Sequence, residues 1–78
     1  MEITFSVHAR HRMAERVITE EEIHSALEDP QKKGTEGDTD VAMRVRSNGH
    51  LLIVIYRKSG NKYHVITVID TSKVRKYL

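Results

Sequence analysis

The sequence predicts a single α+β domain of two layers: an N-terminal strand, a helical hairpin, an antiparallel sheet of three to four strands beneath it, and a short C-terminal helix or tail. Three observations predict it. Leu51-Leu52-Ile53-Val54-Ile55-Tyr56 is an unbroken apolar run rich in β-branched and aromatic residues, too short for a membrane span and suited to a central strand. Turn residues flank it, Asn48-Gly49 before and Ser59-Gly60 after, with β-type composition beyond each turn. Two segments nearer the N-terminus have helical spacing, capping residues and a terminating proline.

Taken in order, Glu2-Ile3-Thr4-Phe5 alternates polar and apolar residues and reads as a short strand on the edge of the sheet. Ser6 is the natural N-cap of a first helix, Val7 to Arg16, whose Ala9 and Met13 face inward one turn apart. His8, His11, Arg12 and Glu15 share another face of it. Val17-Ile18 interrupts the helical pattern, and Thr19-Glu20-Glu21-Glu22 is a capping box that opens a second helix with three acids at the positive end of its dipole. Ile23, Ala26 and Leu27 form that helix's apolar stripe, and Pro30 stops it. Gln31 to Asp40 has no apolar residue and reads as a mobile surface loop, with at most a short irregular strand. After the third meander strand, Tyr63 to Ile69, Asp70-Thr71-Ser72 offers N-caps for one turn of helix carrying Val74, Tyr77 and Leu78 on one face.

Two-residue turns at Asn48-Gly49 and Ser59-Gly60 would align Val41, Tyr56 and Tyr63, then Met43, Val54 and Val65, then Val45, Leu52 and Thr67 on one face. That apolar face is expected under the helices. The opposite face would carry Ala42, Ile55 and His64, Arg44, Ile53 and Ile66, Arg46, Leu51 and Val68, with Arg57 and Lys62 at its border. Mixed aliphatics and cations make it the expected binding surface for something acidic.

At 78 residues the chain is one domain, able to bury roughly 60% of its unfolded surface, so a spacious enclosed active site is not expected. Without cysteine there is no disulfide framework, thiolate metal site or thiol nucleophile, and the N-terminus lacks the organisation of an export signal. A cytoplasmic protein without a membrane segment is the expectation. The net charge of +2 conceals an asymmetry: Met1 to Asp40 holds five Lys/Arg against ten Asp/Glu, and Val41 to Leu78 eight against one, Asp70. A basic half of this kind suits a polyanion, because Lys and Arg release counterions from phosphates; ordinary solvated charge is the plainer reading.

The segment His8-Ala9-Arg10-His11-Arg12-Met13-Ala14-Glu15-Arg16, followed by Ile18, the capping box and Pro30, resembles the opening of a family of small uncharacterised prokaryotic domains with a His-Ala-x-x-Arg-Met-x-Glu-Arg helix. The closing Thr71-Ser72-Lys73-Val74-Arg75-Lys76-Tyr77 is similar to that family's Thr-Ser-Lys-x-x-Lys-Tyr ending. Val17 departs from the pattern, which often has glycine there. More distantly the family resembles RelE/ParE-type toxins and related small metal-independent ribonucleases. That resemblance implies a RelE-like fold, with RNA on the basic sheet face away from the helices and cationic and tyrosine groups from the C-terminus, places comparable to those of Arg44, Arg46, Arg75 and Tyr77. The superfamily also includes gyrase-directed and non-catalytic members, so fold likeness alone does not choose an activity.

The chemistry that fits is attack of a ribose 2′-hydroxyl on the adjacent phosphate, which needs a base, an acid and cations for developing charge. His64 and His8, the latter with Arg12 one turn away, are the candidate acid–base groups, and Tyr77 a proton donor or stacking ring. Arg44, Arg46 and Arg57, with Lys73 and Arg75 from the tail, would hold RNA. Each residue has a plainer reading: His8 as a cap, Arg12 paired with Glu15 or Glu22, His64 as a cross-strand packer, Arg44 and Arg46 as edge-strand guards, Tyr77 as core. The alternative function is a non-catalytic module engaging nucleic acid or an antitoxin-like protein, and aliphatics on both sheet faces leave room for a homodimer. His8, His11 and Glu15 have chelating spacing, but the neighbouring arginines repel a cation, so no metal is expected. Nor is a nucleotide cofactor, since Gly34, Gly37, Gly49 and Gly60 sit in separate turns.

Overall fold

The N-terminal alternation forms strand β1 (Glu2–Phe5), and Ser6 caps helix α1 (Val7–Arg16) by accepting from the Ala9 amide at 2.9 Å. The Ser6 hydroxyl also donates to the Ile66 carbonyl at 2.6 Å, tying the helix start to the sheet. Helix α2 (Glu20–Glu28) opens with the complete capping box, Thr19 and Glu22 satisfying each other's amides at 3.1 Å. Between the helices Val17 takes the left-handed conformation (φ 52°), where a glycine would be unstrained.

The computed structural model describes residues 1–78, and none of its helices is long and apolar enough to cross a membrane. Five strands form one mixed sheet in the order β1-β5-β4-β3-β2, with β2 (Lys32–Glu36), β3 (Thr39–Val45), β4 (Leu51–Ser59) and β5 (Lys62–Thr71) antiparallel in sequence and β1 parallel to β5. This exceeds the expected three to four strands. The segment read as a mobile loop supplies the extra one: β2 is exposed throughout and has no apolar periodicity because it is an outer edge with nothing to bury. Helix α3 (Val74–Tyr77) is the expected single turn.

The register differs from expectation in two places. Val45 pairs with Leu51 and the Arg46 amide bonds the His50 carbonyl at 2.7 Å, so the first hairpin has a three-residue loop in which only Gly49 takes positive φ (86°). That shifts β3 by one residue against β4 and turns every β3 side chain to the other face. At the second hairpin the turn is Gly60-Asn61, with Gly60 (φ 61°) in the first position as a type II′ turn requires. A bulge then leaves Ile66 unpaired between Tyr56↔Val65 and Ile55↔Thr67, and beyond it Val68 faces the helices and Thr67 does not.

The main core therefore joins Ala9, Met13, Ile18, Ile23, Ala26 and Leu27 of the helical layer to Ala42, Leu52, Val54, Tyr56, Val65 and Val68. A second cluster on the opposite face, Val41, Leu51 and Ile53, is roofed in part by Val74 and Tyr77 of α3. Fully burying each aliphatic contributes about 1.5–3 kcal/mol, so this second cluster is what holds the short tail down.

Candidate functional site

The face opposite the helical hairpin brings His64 and Arg57 together as cross-strand partners of β5 and β4. Thr4, its neighbour on β1, places its hydroxyl 2.8 Å from His64 Nδ1. That contact occupies one ring nitrogen and leaves Nε2 for proton exchange. A shallow depression of about 390 Å³ surrounds the pair, lined also by Glu2, Ser59 and Lys62. Arg57 Nη2 lies 3.3 Å from Asp38 Oδ2, but both side chains are well exposed, so the pair is weak and easily exchanged for another anion.

Farther along the same face, Met43, Ile53, Ile55 and Ile69 floor an apolar groove of about 340 Å³ between β2 and Tyr77. Lys32 Nζ donates to the Tyr77 carbonyl at 2.7 Å across its mouth, and the Lys76 ammonium sits 5.6 Å from the Tyr77 ring centroid. Lys73 and Arg75 are exposed on and beside α3. Of the residues singled out from sequence, Arg57, His64, Lys73, Arg75 and Tyr77 thus belong to this side.

Arg44 and Arg46 do not, which corrects the expected site. The shift of β3 turns both toward the helices, where Arg44 Nη1 donates to the Asp29 carbonyl at 2.6 Å and lies 3.3 Å from its carboxylate. The Arg46 side chain, 9% exposed, bridges Glu22 at 2.7 Å and Asp70, and reaches the Val17 carbonyl at 3.0 Å. His50 Nδ1 is 2.7 Å from the other oxygen of Asp70. Arg46 thereby fastens the turn between the helices to two strands. Its hydrogen bond holds the Glu22 carboxyl below the usual range against the opposing effect of burial. Burial pushes Asp70 up, but the hydrogen bonds from His50 and Arg46 outweigh it and leave that carboxyl lowered. Asp70, expected as a helix cap, is instead the counter-charge of the network.

His8 and Arg12 also fall away from the open face: both are exposed on α1, across the sheet from His64 and Tyr77. His11 lies 3.6 Å from Glu15, and no three His, Asp or Glu side chains converge as metal ligands would. The Glu22–Arg46–Asp70–His50 chain joins residues far apart in sequence, so no local pattern announces it. One signal was present, since Asp70 is the single acid in the basic half and had to answer some cation.

Among known proteins, residues 5–74 match a family described as a domain of unknown function, DUF4258. No curated protein and no solved structure matches.

Proposed function

We propose that this chain, which belongs to the DUF4258 family, is a toxin-type domain of RelE-like kind that lays single-stranded RNA along the open face of its sheet and cleaves it there. The observation that carries the proposal is the Arg57–His64 pair, with His64 oriented by Thr4 and Lys62 alongside, next to an apolar strip edged by the cations of α3. Bases stack on or lie against apolar and aromatic surface while the backbone follows the cations, which is how sequence-tolerant single-strand binding is built. In the reaction, His64 Nε2 takes the 2′-hydroxyl proton as the oxygen attacks the adjacent phosphorus. Arg57 and Lys62 offset the charge growing on the phosphoryl oxygens, and the 5′-oxygen leaves with a proton from solvent. Tyr77 is a stacking ring in this reading, and Arg75 and Lys73 hold phosphates.

End-labelled single-stranded RNA incubated with the protein in excess EDTA tests this. Expected are fragments ending in a 2′,3′-cyclic phosphate, none from a 2′-deoxy substrate, and a loss of about 100-fold in rate for His64→Ala with binding retained. Arg57→Ala should weaken binding and flatten its salt dependence. Intact RNA with no salt-sensitive binding rejects the proposal. Intact RNA with salt-sensitive binding leaves the non-catalytic module. The apolar groove beside Tyr77, with Ile69 41% exposed, favours an antitoxin-like protein as that module's partner, an acidic amphipathic segment covering the same strip.

A further inference from the structure

We infer that two copies of this chain associate through β2, edge to edge, to make one ten-stranded sheet. β2 is one of the sheet's two outer strands, β1 being the other, and its sequence Lys32-Lys33-Gly34-Thr35-Glu36 is exposed at every position. Charged edge strands ordinarily repel neighbours, but this one is self-complementary. A two-fold axis perpendicular to the sheet pairs a strand with its own copy antiparallel, and paired residues must share a face, so the axis can pass only at a residue. Centred on Gly34, all five residues pair: Lys32 meets Glu36 of the second copy twice, Lys33 meets Thr35, and glycine meets glycine. Centred on Lys33, like charges stand opposite one another; centred on Thr35, only three residues pair and both lysines are left out. Opposite charges directly across an antiparallel ladder stabilise it, and like charges destabilise it, so one register stands out.

Gly34 is consistent with that centre. Its φ is not positive and a Cβ there would meet nothing within 4 Å, so neither a turn nor crowding inside the monomer accounts for a glycine. A glycine within a strand marks a place where another backbone comes close. Lys32, Gly34 and Glu36 lie on the open side, opposite Met43, Val41 and Thr39 of β3. The axis keeps the open faces of the two copies on the same side, so the two Arg57–His64 sites would share one continuous surface. The inference does not depend on what that surface binds.

Sedimentation velocity at low salt, from about 10 μM to about 1 mM, should show the chain passing to twice its monomer mass, as expected of a small interface. Lys32→Glu alone and Glu36→Lys alone each place like charges opposite in both pairs and should weaken association by roughly tenfold or more. An equimolar mixture of the two variants should restore it, because each chain then offers the charge the other lacks. That recovery separates the interface from the contact of Lys32 with Tyr77, which mixing does not repair. A single monomeric species at all concentrations overturns the inference, as does a dimer indifferent to either substitution or a mixture no tighter than the single variants.

Discussion

Val17 shows how one residue can carry strain for a tertiary purpose. Its φ of 52° and ψ of 48° put a β-branched side chain in the left-handed region, at a cost of about 1–2 kcal/mol. The residue is 77% exposed, so its side chain gains little by burial. The conformation ends α1, aims the Val17 amide at the Met13 carbonyl, and presents the Val17 carbonyl to Arg46. Glycine adopts the same conformation without the clash but loses more freedom on folding, which offsets part of the gain. Val17→Gly is therefore expected to stabilise the domain by about 1 kcal/mol, a rise of roughly 5 °C in Tm for a chain of this size. Thermal unfolding followed by circular dichroism measures it, and an unchanged or lower Tm would show that the valine contributes contacts beyond its conformation.

At the level of elements, what was legible in the sequence divides by the range of the forces involved. Both helices of the hairpin were legible nearly to the residue because their determinants are local: Ser6, the Thr19–Glu22 box and Pro30 lie within a few residues of the ends they set. So was the facing of β4, where Leu52, Val54 and Tyr56 lie beneath the helices, and of His64 on the open side. β3 was not, because Asn-Gly serves both two- and three-residue loops and the difference of one residue reverses the strand. Apolar preference alone puts Val41, Met43 and Val45 inside, whereas the structure puts Ala42, Arg44 and Arg46 there. Burying Arg46 is tolerable only with partners, and Glu22 and Asp70 come from distant parts of the chain, while Arg44 meets the distant Asp29 at the exposed rim. The loop geometry has its own test: Gly49, at φ 86°, should lose about 1–2 kcal/mol on substitution by alanine, while Gly34, not at positive φ and in open space, should change by less than about 0.5 kcal/mol. Urea unfolding of the two variants compares them, and equal losses would contradict the left-handed conformation at Gly49.

Across the whole molecule, the acidic first half and basic second half prove to be partly each other's counter-ions. Arg44–Asp29, Arg46–Glu22 and Arg57–Asp38 all join the two halves, so three of the eight cations of the second half already face acids of the first. The charge left for a polyanion is smaller than the sequence asymmetry suggests: Lys62 on the open face and Lys73, Arg75 and Lys76 at α3, with Arg57 available by exchanging its exposed pair with Asp38. The same pairing makes stability depend on acid. Glu22 and Asp70 both have folded-state carboxyls below their unfolded values, which are about 4.3 and about 3.9. A depressed carboxyl contributes stability that is complete above its unfolded pKa and is lost as pH falls through its folded pKa, so the domain should weaken progressively below about pH 4. Arg46→Met removes the shared cation and leaves the half-buried Glu22 carboxylate only its Thr19 contacts and the buried Asp70 carboxylate only His50, at an expected cost of about 3 kcal/mol near pH 7. That cost should shrink as the pH is lowered, because protonating the stranded carboxyls relieves the variant while it deprives the wild type of its pairs. Urea unfolding of both proteins between pH 3 and pH 7 follows the difference; a gap that stayed constant would mean Arg46 acts by packing its stem and not by answering Glu22 and Asp70.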